Sequence, residues 1–272
     1  MARALLLVLG LLALAWLALV VAMSLMENRL LYFPVRQLDA SPAEYALPYE
    51  ELRVTTSDGA SLHGWWIQAG GHRVVLLFHG NAGNVSHRLD RARLFAERLG
   101  VDLFLVDYRG YGRSEGKPSE AGLYRDGLAI YDAARECGFS PDRIVLLGES
   151  LGCAVALEVA LQRKCAAVAL ETPFLSVPAL ARKHYPFVPG FLVRSKFDSE
   201  SRIARVTARK LIIASERDEI VPLSHPKRLF DVAAPPKDLY VVPGAGHNDA
   251  YSTGGGAYLF AWRRFLAGVN AE

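Results

Sequence analysis

Arg143 to Gly152, RIVLLGESLG, is the stretch whose reading decides the fold. Ile144 to Leu147 is a short apolar run of the kind a fully buried strand shows, and Ala154 to Leu161 has helical composition. Ser150 therefore falls on the turn between a strand and a helix, the pattern of a nucleophile elbow. Such a turn strains the backbone at the serine, and Gly148 and Gly152, two residues to either side, let strand and helix approach without a Cβ clash. Glycine-flanked serines also occur in ordinary strand-to-helix turns, so the rest of the chain must decide between the two readings.

Working outward, compact apolar runs recur at Val74 to Phe78, Leu103 to Val106, Ala166 to Leu170, Leu211 to Ala214 and Leu239 to Val242. Helical patterns at Leu89 to Leu99, Leu123 to Cys137 and Leu223 to Val232 separate them, and Tyr258 to Leu266 closes the chain. Ahead of them, Tyr49 to Thr55 and Ser61 to Ile67 alternate around Ser57-Asp58-Gly59 and predict an antiparallel hairpin. A hairpin followed by repeated strand and helix units predicts an α/β fold, with a mostly parallel sheet covered on both faces. In such folds the reactive groups gather at the carboxyl ends of strands.

Composition narrows the function classes. The 272 residues are 51% hydrophobic and show neither a repeat nor a long linker, so one large domain behind an N-terminal segment is expected. Lys and Arg total 31 against 28 acidic residues, a net charge of +3 without a concentrated basic run, which argues against nucleic acid as a partner. Cys137, Cys153 and Cys165 lack metal-ligand spacing and lie in apolar surroundings.

Ala4 to Met26 carries no charge and would make about 35 Å of helix, enough for a hydrocarbon core of roughly 30 Å. The rival reading is a cleaved signal peptide with Ala22-Met23-Ser24 as its cleavage site. The apolar stretch exceeds the ~7 to 15 residues of a signal-peptide core, so an uncleaved single-pass anchor is expected over residues 1–27. Arg3 precedes it and Arg29 and Arg36 follow it, a weak charge bias; the usual topology of a signal anchor places the main domain, 28–272, outside the cytosol. Leu30, Leu31, Tyr32 and Phe33 then form an aromatic patch suited either to the membrane interface or to packing on the domain.

Three strand ends carry the candidate chemistry. After Phe78 comes His79-Gly-Asn-Ala-Gly-Asn84, a loop that exposes backbone N–H groups, as an acyl-transfer site requires to hold the negative oxygen of a tetrahedral intermediate. The N–H groups of Asn81 and of Leu151, just after the serine, are the expected oxyanion donors. The loop lacks the Gly-Lys-Ser/Thr ending of a phosphate loop, and a plain tight turn is the alternative. After Val106 comes DYRGYGRSEG, Asp107 to Gly116, a near miss to a dinucleotide motif in which a salt bridge of Asp107 with Arg109 is expected to brace the loop. After Ala214 comes SERDEIVP, Ser215 to Pro222, and after Val242 comes Gly244-Ala-Gly-His247. A serine hydroxyl needs a positioned imidazole to take its proton and a carboxylate to hold that imidazole. The order Ser150, Asp218, His247 suits this chemistry on an α/β sheet. His63, His72, His87, His184 and His225 are expected to be surface or structural, and His79 a loop former.

HGNAGN, DYRGYGRSEG, GESLG, ERDEIVP and GHND (Gly246 to Asp249) together resemble the α/β-hydrolase superfamily. More narrowly, the chain resembles its membrane-anchored branch, which includes α/β-hydrolase domain-containing protein thirteen and the fungal bud-emergence homologues. The likeness runs from about Glu27 to the C-terminus, anchor included. It implies an eight-stranded sheet, with Ser150 as nucleophile, His247 as base and Asp218 as orienting acid. Cys153 departs from the pattern where relatives often carry glycine, which is expected to tighten packing behind the elbow. In neighbouring branches the substrates include acylated proteins and lipids, and for this branch the likeness leaves the substrate open.

The mechanism expected from these residues is attack of Ser150 on an acyl carbonyl, followed by hydrolysis of the acyl-enzyme with His247 as base throughout, and it needs neither metal nor cofactor. Pro173 to Asp198, PFLSVPALARKHYPFVPGFLVRSKFD, reads as a short lid. Phe174, Leu175, Tyr185, Phe187, Phe191 and Leu192 are its candidates to line an acyl groove or to press on lipid, against the bland alternative of a loop packed on the sheet. The expected activity is therefore that of a membrane-tethered serine hydrolase of carboxylic esters or thioesters, with long acyl chains favoured by the tether. A serine peptidase and a non-catalytic scaffold are the alternatives, and the sequence leaves the oligomeric state open.

Overall fold

A computed structural model gives the architecture and describes residues 1–269. Eight strands form the central sheet: β1 Tyr49–Thr55, β2 Ser61–Ile67, β3 Val74–Phe78, β4 Asp102–Val106, β5 Ile144–Glu149, β6 Ala167–Glu171, β7 Arg209–Ser215 and β8 Lys237–Val242. Their spatial order is β8-β7-β6-β5-β3-β4-β2-β1, and only β2 runs against its neighbours. β1 and β2 pair as the expected hairpin, Tyr49 opposite Ile67 and Thr55 opposite Ser61.

Burial explains the composition of the strands. β3, β4 and β6 are buried at every position, so both faces must be apolar and the runs are continuous instead of alternating. Nine helices are described: α1 Ala2–Leu25, α2 Glu27–Leu31, α3 Leu89–Leu99, α4 Glu120–Glu136, α5 Leu151–Gln162, α6 Val177–His184, α7 Ser199–Ile203, α8 Ser224–Val232 and α9 Ala250–Gly268. One face of the sheet packs Leu76, Phe78 and Leu146 against residues of α4 and α5. The other packs Leu77, Leu103 and Leu147 against Phe95 of α3 and Trp262 of α9.

The strand order places the site. From β3 the chain moves outward to β4 on one side and then returns to β5 on the other, so the carboxyl ends of β3 and β5 open at a topological switch point. The closing helix is longer than its sequence pattern predicted. It begins at Ala250 and turns a corner at Gly255, whose φ of 46° and ψ of −123° interrupt it, so the run Gly254-Gly255-Gly256 masks the first part.

The N-terminal segment reaches the same end of the sheet. α1 stops at Leu25, α2 follows, and Phe33–Pro34 runs parallel to Ala82–Gly83 in a two-residue ladder. Tyr32 is buried in the core while Leu30 and Phe33 are exposed, so the aromatic patch splits between packing and solvent.

Candidate active site

Ser150 closes β5 and caps α5 with φ 50° and ψ −110°, a sparsely populated conformation that costs on the order of 1–3 kcal/mol. Its surroundings enforce it. The Ser150 N–H donates to the Glu171 carbonyl at 2.9 Å, and the Ser150 carbonyl accepts from the Cys153 N–H at 3.0 Å. A Cβ on Gly152 would lie 1.9 Å from the Phe78 carbonyl oxygen, and one on Gly148 would lie 2.4 Å from Cys153 Cα. Helix α5 therefore starts at Leu151, three residues before its apolar pattern, with the serine presented at its first turn.

The loops after β7 and β8 bring the other two groups to the serine. His247 Nε2 lies 3.0 Å from Ser150 Oγ, and His247 Nδ1 lies 2.8 Å from Asp218 Oδ2. Asp218 Oδ1 accepts the N–H groups of Ile220 and Val221 at 2.9 and 2.6 Å, which fixes the carboxylate. The His247 N–H donates to Glu219 Oε2 at 3.2 Å, and the Gly246 N–H donates to Asp249 Oδ1 at 2.7 Å. Both Asp218 and His247 side chains are all but closed to solvent. Such a line can move a proton from hydroxyl to imidazole while the carboxylate holds the ring's tautomer and orientation.

The loop after β3 forms the facing wall. A Cβ on Gly80 would stand 3.7 Å from Ser150 Cβ, so this backbone lies against the serine. Asn81 is held on three sides: its carbonyl accepts from the Phe33 N–H at 2.9 Å and the Tyr111 hydroxyl at 2.8 Å, and its side-chain amide donates to the Leu31 carbonyl at 3.0 Å. Leu151 is the first residue of α5, where backbone N–H groups have no acceptor within the helix. His79 lies beneath, fully buried against Tyr108 and Tyr111, with Nδ1 2.8 Å from the Gly80 carbonyl oxygen. Burial holds His79 down to about 3, so the ring is neutral at pH 7 and serves as a loop former.

One expected brace is corrected. Arg109 does not pair with Asp107 among the described contacts; it bonds Asp58 at 2.9 Å and Asp126 at 2.8 Å, which ties the β1–β2 turn and α4 to this loop. Asp107 instead accepts the Val85 N–H at 3.0 Å and stands 3.5 Å from His79 Nε2, and burial raises its carboxyl to about 7.

Behind the serine is a buried ion cluster that the sequence motifs do not announce. Arg91 of α3 reaches Glu149 at 2.7 Å and Glu171 at 2.6 Å; Arg88 reaches Glu149 at 3.2 Å, and the Tyr258 hydroxyl donates to Glu171 at 2.7 Å. Burial alone would raise Glu149, but Arg91 and Arg88 outweigh it and keep the carboxyl below its ordinary value. The only sequence signal is an acidic residue before the serine and two arginines three apart at the start of a helix. Cys153 packs fully buried nearby, with Sγ 3.1 Å from the Gly148 carbonyl oxygen. Among the described residues no His, Cys, Asp and Glu side chains gather to suit a metal ion.

Ser150, His247 and Asn81 open into a cleft of about 680 Å³ that Arg88, Arg91 and Tyr251 also line. Of the aromatic and apolar residues of Pro173 to Asp198, Phe174 is buried in the core, Tyr185 and Leu192 line a neighbouring cavity, and Phe187 and Phe191 stand exposed. α1 is long and apolar enough to cross a membrane, with Val20 its one buried residue.

Known proteins share this architecture. A family model described as the alpha/beta hydrolase family matches residues 62–199. The chain is 40% identical over 245 residues to an uncharacterized protein of Mycobacterium tuberculosis strain H37Rv, covering 88% of this chain and 87% of that protein. It is 33% identical over 223 residues to protein bem46 of Schizosaccharomyces pombe, covering 77% and 74%. Among solved structures, the esterase Pf2001 of Pyrococcus furiosus aligns with a TM-score of 0.72 over 87% of this chain and 97% of that one, at 20% identity, a likeness of fold.

Proposed function

The chain belongs to the alpha/beta hydrolase family, and we propose that within it the protein is a membrane-anchored serine hydrolase that cleaves carboxylic esters or thioesters through Ser150, His247 and Asp218. The observation that carries this reading is the unbroken line from Ser150 Oγ to His247 at 3.0 Å and from His247 to Asp218 at 2.8 Å, on a strained elbow beside a backbone-rich loop.

Ser150 Oγ attacks the acyl carbonyl as His247 Nε2 takes its proton. The oxygen that becomes negative is held by the Asn81 and Leu151 N–H groups, each such donor being worth about 10² to 10³ in rate. His247 then returns the proton to the leaving alcohol or thiol. Water, deprotonated by the same imidazole, attacks the acyl-enzyme, and collapse of the second intermediate frees the acid and Ser150.

Fluorophosphonate labelling and ester turnover test this directly. The native protein is expected to label at Ser150 and to hydrolyse acyl esters, while Ser150→Ala loses the label and about 10⁴-fold or more of the rate. Retained turnover of the same ester by Ser150→Ala would overturn the assignment.

A further inference from the structure

Beyond Asn81 lies a second space with the opposite chemistry. It is a cavity of about 180 Å³ between the end of α1 and the segment that carries α6, walled by Val20, Met23, Leu31, Leu180, Val188 and Leu192. The polar groups at its margin have partners of their own. Glu27 accepts the backbone N–H groups of Arg194 and Ser195 at 2.8 and 2.7 Å, and the Asn81 amide is spent on the Leu31 carbonyl. His184 Nε2 lies 2.8 Å from the Ile220 carbonyl oxygen. Besides the hydroxyl-bearing side chains of Ser24 and Tyr185, what remains facing the cavity is hydrocarbon. An apolar cavity of about 150 Å³ takes a six-carbon ring, so this one holds a segment of chain of similar or slightly greater carbon count.

Two contacts say where its occupant comes from. Trp16 Nε1 donates to the Phe187 carbonyl at 3.0 Å, which fastens the tip of the α6 segment to a point about 14 Å back along α1 from its end at Leu25. If α1 spans a bilayer, that tip lies below the surface of the hydrocarbon, and the exposed side chains of Phe187 and Phe191 (44% and 81% accessible) suit that position. Asn81 lines both this cavity and the cleft that holds Ser150.

We propose that this cavity binds the fatty acyl chain of a membrane lipid ester, which enters laterally from the bilayer, so that the N-terminal helix is one wall of the substrate site as well as an anchor. The proposal rests on reading Ser150 as the nucleophile and adds to it the class of substrate and its route. With the acyl carbonyl at Asn81, the chain runs into the cavity and the polar leaving group lies in the wider cleft on the Arg88 side.

The test uses the full chain in lipid nanodiscs. In Ser150→Ala protein, a phosphatidylcholine carrying a diazirine at the sixth acyl carbon is expected to cross-link to cavity residues such as Met23, Leu180 and Val188. In protein with the serine intact, Leu180→Trp is expected to lower the ratio of octanoyl to acetyl ester kcat/KM at least tenfold. Cross-links confined to the outer face of α1, together with an unchanged ratio, would overturn the proposal. Labelling of the same residues by an acylated peptide thioester but not by the lipid would overturn the choice of substrate class. Cavity cross-links without any Ser150-dependent turnover would sink the hydrolase reading and leave the lipid site standing.

Discussion

Asn81 divides two spaces that differ in origin as much as in chemistry. The cleft on one side, with Ser150, His247 and Arg88, is made almost wholly of loops and helix starts that the sheet places. The cavity on the other is made of additions to the sheet: the end of α1, α2 and the segment from Pro173 to Asp198. Strand ends are fixed by register across eight hydrogen-bonded neighbours, so the polar side is rigid by construction. The apolar side is held by a few contacts between excursions, Glu27 to the Arg194 and Ser195 backbone and Trp16 to Phe187 among them. Under the proposed function, the difference gives bond cleavage to the parts the fold fixes and chain selection to the parts added around it.

That division breaks if a change on the sheet side alters chain-length preference. Asp218→Asn is the largest such change. The amide no longer holds His247 in the tautomer that can accept the serine proton, and kcat is expected to fall about 10³- to 10⁴-fold, by the same factor for acetyl and octanoyl esters. Steady-state kinetics on both esters decides it, and a loss confined to one chain length would show that the two spaces share a task.

The two spaces were also unequally legible. Residue patterns located every strand of the sheet, because the inner strands read as continuous apolar runs and the hairpin strands alternate around a turn signal, and they placed Ser150, Asp218 and His247 at three strand ends that the structure brings within 3.0 Å of one another in sequence of contact. They did not reveal Arg91, whose partners Glu149 and Glu171 lie far along the chain and meet it only because β5 and β6 are neighbours beside α3. They mistook the partner of Arg109, since Asp58 reads simply as a turn residue until the hairpin is folded. Phe174 and Phe191 lie outside α6, in stretches with no periodicity to sort inward from outward side chains. Phe174 therefore proved to be core and Phe191 surface, where composition alone treated them alike.

Removing Arg91 sharpens the comparison by asking how far the rigidity of the cleft depends on its buried charges. Arg91→Leu leaves Glu149 and Glu171 facing each other in a buried setting with one cation gone, and breaking such a pair typically costs about 3–5 kcal/mol. Urea unfolding is expected to show a loss of unfolding free energy of that size. In the fraction that stays folded the octanoyl-to-acetyl ratio should be unchanged, because no wall of the apolar cavity has moved. A change below about 1 kcal/mol would mean that the cluster is relaxed by water and contributes little to holding the elbow.

The smallest expected effect concerns His79, which supports the dividing loop from beneath. Its ordinary value is near 6.5 and burial depresses it to about 3, so between those limits the unfolded chain binds a proton that the folded chain refuses. Stability contributed by the neutral ring is thus fully present above about pH 6.5 and is lost as pH falls toward 3. Asp107, raised from 3.8 to about 7, acts in the reverse sense: the folded chain holds a proton there that the unfolded chain releases, so its contribution declines as pH rises through that range. The two slopes largely cancel in the native protein. His79→Asn removes the first and leaves the second, so its stability measured by urea unfolding should fall more steeply from pH 4 to pH 7 than that of the native chain. The added slope is close to one proton, about 1.4 kcal/mol per pH unit at most. Parallel curves would mean that His79 takes up its proton in the folded state, and the loop that separates the two spaces would then stand on a charged ring.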